Sequence, residues 1–213
     1  GDGWDTDKLF DGLGEKFKIG ECSMKAFPTE ALTHTPISAT LELVQGHNIE
    51  VDDVKKVIIK TIRRAADILA DPSKYKPDTK ETADHSLPYC IAVGIVDGMV
   101  TPRQFKSDKL FDSRIRNILN KIEVVADEEF ERLFPKKQCA EVTIELKDGA
   151  KYSKRLDFPQ GDPRNPMTKA QLETKFNSLA STVFDEPKRK RLLDACYNLE
   201  RFDDFSEFMK LTV

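Results

Sequence analysis

Two short strings in this chain set titratable side chains among apolar residues able to hold them still. The first is Met24-Lys-Ala-Phe-Pro-Thr-Glu30-Ala-Leu-Thr-His34. Lys25 precedes a proline-initiated helix and Glu30 falls in its first turn, so a cation and a carboxylate converge where a helix leaves its first backbone N–H groups unpaired. Such a corner suits a substrate carboxylate held by charge-assisted hydrogen bonds, with Lys25 as a candidate catalytic residue and Glu30 and His34 as candidate substrate-binding residues. The same residues also have a plain use. Lys25 then sits solvated on an extended segment, and Glu30 offsets the positive end of the helix macrodipole.

The second string is Lys80-Glu-Thr-Ala-Asp84-His85-Ser-Leu-Pro-Tyr89-Cys90. An Asp-His pair followed by tyrosine four residues after the histidine puts His85 and Tyr89 on one helical face, where they could share a proton or bind an oxyanion. The competing reading is a helix cap carrying an Asp and a buried histidine satisfied by backbone. Cys90, between Tyr89 and Ile91, reads as a core residue in preference to a nucleophile. His47-Asn48 reads as a turn and Lys188 to Arg191 as the solvated face of a helix. The early glycines form no phosphate loop, because no G-x-x-x-x-G-K or G-x-G-x-x-G follows a strand.

The rest of the composition narrows the class. With 213 residues the chain can bury an ordinary core as one large domain or two small ones. Its 34 Lys+Arg against 37 Asp+Glu leave a formal charge of −3, which argues against a nucleic-acid partner. No apolar run approaches the roughly 18 residues of a membrane span, so no membrane partner is expected. Cys22, Cys90, Cys139 and Cys196 make no C-x-x-C pair, and His34, His47 and His85 lie far apart, so neither a metal nor a redox pair is expected. The opening Gly-Asp-Gly-Trp has neither secretory nor transit-peptide character, and a reducing compartment fits the cysteines: cytoplasmic, or the mitochondrial matrix if the source is eukaryotic.

The elements that must position these residues can be sketched from periodicity. Trp4 to Gly20 reads as a broken helix leading into an extended segment, and residues 30–45 as a helix with Pro36 near its first turns. Asp53 to Arg64, rich in Val and Ile, predicts a strand, and the apolar stretch Leu87 to Val96 a buried helix. Residues 71–80 read as a loop. From Ser107, the spacing of Leu110, Phe111, Ile115, Ile118 and Leu119 predicts one amphipathic helix, with a short strand at Ile122 to Val125. Alternation on both sides of Asp148-Gly149 predicts a hairpin ending near Phe158. Three prolines within 159–166 mark a non-helical linker, and helices are expected over about 168–183, 186–199 and 203–211.

The KAFPTE string, the KETADHSLPYCIAVGIVDG string and the following TPRQF together resemble the MmgE/PrpD family, which includes 2-methylcitrate dehydratase, cis-aconitate decarboxylase and iminodisuccinate epimerase. The likeness runs from Trp4 to the C-terminal helices but covers only the family's C-terminal half. It implies an α+β lid with a small mixed or antiparallel sheet followed by a C-terminal helical segment. Residues 1–22 would lead in from a helical domain, 23–158 form the lid, 159–166 the linker and 167–213 helices of the helical domain. The resemblance also implies a cleft that acts on small polycarboxylates without cofactor or metal, completed by the missing N-terminal half of the same protein. Within it, Lys25 matches the lysine of a K-x-F-P motif, and His85 and Tyr89 begin and end an H-S-x-x-Y motif.

In the decarboxylase branch the resemblance places a histidine two residues after the motif proline; here that residue is Glu30. The expectation is therefore the C-terminal part of a hydro-lyase that dehydrates a 2-hydroxy tricarboxylate such as 2-methylcitrate, inactive without the rest. The alternatives are another activity of the family, or a non-catalytic binding or assembly module. The apolar series from Leu172 to Phe208 needs a cover, either the chain's own lid or a second copy, and a homodimer is expected.

Overall fold

A computed structural model describes residues 3–213, and the chain divides into two compact units, Gly1–Pro166 and Met167–Val213. The first unit begins with a one-turn helix, α1 (Asp7–Phe10), whose neighbours Trp4, Leu13, Phe17 and Ile19 are exposed. It continues through α2 (His34–His47), β1 (Val54–Thr61), α3 (Arg63–Leu69), α4 (Lys80–Asp84) and α5 (Leu87–Asp97). Two short helices follow, α6 (Ser107–Leu110) and α7 (Ser113–Leu119), then β2 (Ile122–Ala126), α8 (Glu128–Leu133), β3 (Ala140–Leu146) and β4 (Lys151–Leu156). The second unit holds α9 (Lys169–Ala180), α10 (Glu186–Tyr197) and α11 (Phe205–Lys210).

The class is α+β, built on one four-stranded mixed sheet of order β2-β1-β3-β4. β1 runs parallel to β2, with Val57 opposite Ile122, and antiparallel to β3, with Val57 opposite Ile144. Val57, Ile59 and Thr61 on β1 are buried while Lys60 is exposed, as the two-residue period of a strand requires. The hairpin of β3 and β4 closes through Gly149 at φ +93°, a left-handed conformation that glycine adopts without Cβ strain. Helix α2 packs on β3 and β4 and against α5. Every residue of α5 from Leu87 to Ile95 is buried, which accounts for its unbroken apolar run. Ser86 caps its start, and Gly98, at φ +66°, closes its end. Among the described residues no helix is long and apolar enough to cross a membrane.

Side-chain capping overrides the helical pattern in three places. Residues 107–119 are two helices and not one, because Asp112 accepts the Arg114 N–H at 2.9 Å and starts a new helix. Helix α8 was not anticipated; Asp127 caps it by accepting the Glu129 and Phe130 N–H groups. The string from Lys80 to Cys90 is likewise two helices, interrupted at His85 (φ −106°, ψ 15°) before Ser86 restarts the chain. The loop over 71–80 contains a short 3-10 helix, Pro72–Tyr75, capped by Asp71.

Residues 159–166 are non-helical yet are tied into the first unit. The Met24 N–H donates to the Gly161 carbonyl at 2.8 Å, and the Asp162 carboxylate accepts both the Arg164 N–H and its guanidinium. Gly161 has φ +92°, and a Cβ there would lie 2.0 Å from the Met24 oxygen, so no other residue fits without moving the backbone. The approach to Lys25 is thereby pinned.

In the second unit, Thr168 and Gln171 form a capping box at the start of α9. The rings of Phe205 and Phe208 stack with centroids 5.1 Å apart, while Phe202 meets Phe208 edge-on. Leu192 and Ala195 are buried, whereas Leu179, Val183, Phe205 and Met209 are exposed.

Candidate functional site

The first string becomes a tight turn leading into α2. Glu30 caps a 3-10 helix, Ala31–Thr33, by accepting the Leu32 N–H at 2.6 Å, and this turn runs straight into the 14-residue α2. The Lys25 ammonium donates to the Thr29 carbonyl at 2.8 Å, and the His34 Nε2 lies 3.3 Å from that same oxygen. One backbone carbonyl therefore gathers the lysine and the histidine. His34 is buried against the Phe27 ring, with centroids 5.4 Å apart, whereas Lys25 is exposed and Glu30 half-buried. Thr33 Oγ1 sits 2.8 Å from Thr29 Oγ1 and 2.7 Å from the Glu30 carbonyl, bracing the turn from within.

The second string meets the first through its backbone. The Glu30 N–H donates to the Asp84 carbonyl at 3.0 Å. The Asp84 carboxylate is buried and has two partners: Oδ1 lies 2.5 Å from His85 Nδ1, and Oδ2 accepts from the Lys80 ammonium at 3.1 Å. The His85 side chain is 57% exposed, so an accessible imidazole stands on an inaccessible carboxylate. Ser86 Oγ accepts the Tyr89 N–H and donates to the Lys74 carbonyl at 2.6 Å, fixing the backbone just after His85.

The Tyr89 side chain makes its contacts outside this corner. Because the helix breaks at His85, the two side chains do not share a helical face, and the expectation from spacing is corrected. Tyr89 has no exposed surface; its hydroxyl donates to the Gln104 carbonyl at 2.7 Å and its ring lies 5.9 Å from Phe105. Burial holds the phenol well above its ordinary range. In this arrangement Tyr89 anchors the Thr101-Pro-Arg-Gln-Phe105 turn, which Thr101 and Gln104 close as a capping box. Cys90 is fully buried, and desolvation followed by the nearby Asp84 carboxylate pushes its thiol far upward, which makes it a core residue.

The structure thus brings Lys25, Glu30, His34 and His85 to one corner and adds two groups that the sequence reading gave no role at the site, the Asp84 carboxylate and the Thr29 carbonyl. The Asp-His adjacency was the signal for the first; a backbone oxygen leaves no signal in sequence. Chemically, the corner offers the Lys25 ammonium and the exposed His85 imidazole to an anion, with the Glu30 and Asp84 carboxylates already engaged by the Leu32 N–H and by His85 and Lys80. Among the described residues no group of three His, Cys, Asp or Glu is placed to hold a metal ion.

Residues 27–199, which include the turn from Phe27 to His34, the Asp-His pair and the buried α5, match the MmgE/PrpD C-terminal domain. The chain belongs to the MmgE/PrpD family. Cis-aconitate decarboxylase from Mus musculus is 25% identical over 198 residues, which is 90% of this chain and 39% of that relative. Cis-aconitate decarboxylase from Aspergillus terreus is 25% identical over 94% of this chain and 42% of its own length. 2-Methylcitrate dehydratase from Salmonella typhimurium is 24% identical over 88% of this chain and 41% of its own length. This MmgE/PrpD chain therefore spans about two fifths of the curated relatives it matches.

Proposed function

We propose that this chain supplies part of the active site of a hydro-lyase that dehydrates a 2-hydroxy tricarboxylate such as 2-methylcitrate. The observation that carries the reading is the junction of the two strings at the Glu30–Asp84 hydrogen bond, which links Lys25 and His34 at the start of α2 to His85 in the break before α5. Dehydration removes a proton from the carbon alpha to a carboxylate and a hydroxyl from its neighbour, leaving an alkene and water. It needs a base, an anchor for the carboxylates and an acid for the departing hydroxyl. Lys25 anchors one carboxylate, Glu30 and His34 shape its seat, and His85 contacts the reacting part of the substrate. Tyr89 contributes by holding the 101–105 turn. Residues that the relatives carry outside the matched stretch complete the site, and this chain alone is inactive.

A second reading is favoured by the decarboxylases among the relatives. Product analysis of the full-length protein separates the two: a dehydratase forms an absorbing alkene from 2-methylcitrate, and a decarboxylase releases carbon dioxide from cis-aconitate. Alkene formation that falls at least roughly tenfold in Lys25→Ala supports the proposal, and carbon dioxide release without alkene formation replaces it. We further propose that the apolar faces of 167–213 pair with a second copy, giving a homodimer.

A further inference from the structure

We infer that Asp84 is a positioning residue for His85: its buried carboxylate fixes the imidazole in the Nδ1–H tautomer, so that Nε2 presents a lone pair outward. What that lone pair does to a substrate rests on the proposed function; the tautomer stands on geometry alone.

An ionised carboxylate only accepts hydrogen bonds, so the proton in the 2.5 Å contact belongs to His85 Nδ1, and the neutral ring carries none on Nε2. In water a free imidazole side chain favours the opposite tautomer. Asp84 is held for this task from its far side, where Oδ2 accepts from Lys80 one helical turn earlier. Its side chain is 12% exposed against 57% for His85, so water competes weakly for the acceptor while the outer face of the ring stays open.

The backbone adds the second constraint. Asp84 receives the Glu30 N–H on its carbonyl, the Ser86 N–H returns to the Ala83 carbonyl at 3.0 Å, and the Ser86 hydroxyl reaches the Lys74 carbonyl. A histidine placed in the break between two helices and tied on both sides has little freedom left beyond its two side-chain torsions. The carboxylate removes that freedom too.

Long-range proton–nitrogen correlation spectra of the 15N-labelled chain test this directly, because they report which ring nitrogen carries the proton. His85 is expected to show protonated Nδ1 and bare Nε2, with a preference of roughly tenfold, the factor an ordinary charge-assisted hydrogen bond supports. Asp84→Asn, whose amide can donate to Nδ1, should invert the pattern, while Lys80→Met leaves the same tautomer dominant. A wild-type His85 protonated on Nε2, or a pattern unmoved by Asp84→Asn, overturns the inference. If Asp84→Asn does not fold, the wild-type spectrum decides alone. Should the full-length protein dehydrate no tricarboxylate while the Nδ1–H pattern is found, the proposed function falls and this inference stands.

Discussion

The Glu30 N–H and the Asp84 carbonyl, 3.0 Å apart, join the two strings that carry the candidate site residues. A backbone bond of this kind fixes the spacing of the two loops whatever their side chains do, so Lys25 and His85 are carried on a common frame.

Replacing Lys25 with alanine removes the only charge in its turn that can meet a substrate carboxylate without moving the Thr29–Thr33 brace. A charge-assisted contact contributes about 1.5–3 kcal/mol, so tricarboxylate affinity of the full-length protein should fall roughly 10- to 100-fold, as read by calorimetric titration. Unchanged affinity removes Lys25 from the site.

Tyr89→Phe should cost stability and not substrate binding. The variant leaves the buried Gln104 carbonyl without the hydroxyl that donates to it, a loss of about 1–2 kcal/mol, measurable by chemical denaturation. A stable variant with turnover lost would return Tyr89 to the chemistry.

Gly161→Ala forces a Cβ against the Met24 oxygen at positive φ. The strain is of the order of 1–3 kcal/mol or more, and the disturbance passes directly into the segment before Lys25. Lower thermal stability together with weaker ligand binding is expected; a variant as stable as wild type contradicts the close approach.

The thiols should separate by burial and pKa. Cys22 and Cys196 are exposed and should react at once with an aromatic disulfide, while Cys90 and Cys139 are buried. Burial, aided by the Asp157 carboxylate, raises Cys139 to about 11, so at pH 8 its reactive thiolate is scarce and grows only as pH rises towards that value. Two fast thiols and two protected ones are the expected count; a fast Cys90 shows that α5 opens.

Sedimentation of the chain with and without residues after Pro166 tests the homodimer. Self-association that vanishes on truncation is expected, because Leu179, Val183, Phe205 and Met209 are exposed in the second unit. A monomer in both forms rules it out.

The central sheet and α5 were legible in the sequence because their signals are periodic and redundant: alternation on both sides of Asp148-Gly149, and an apolar run over Leu87–Ile95 too long for a strand. The breaks at Asp112 and His85 were not, because one side chain or one backbone conformation outweighs a helical pattern that continues on both sides. Lys25, Glu30 and His34 drew notice through their charge at a helix start, and the structure does place Glu30 at the cap of the turn that runs into α2. The shared face expected for His85 and Tyr89 fails for the same reason as the break: four-residue spacing implies a shared face only within one helix.

The most direct measurement is the change in absorbance when 2-methylcitrate is added to the full-length protein, followed in wild type and in Lys25→Ala. Alkene formation by wild type, reduced at least roughly tenfold in the variant at subsaturating substrate, is the predicted result. No alkene from the wild-type protein, or equal rates in both, contradicts the account.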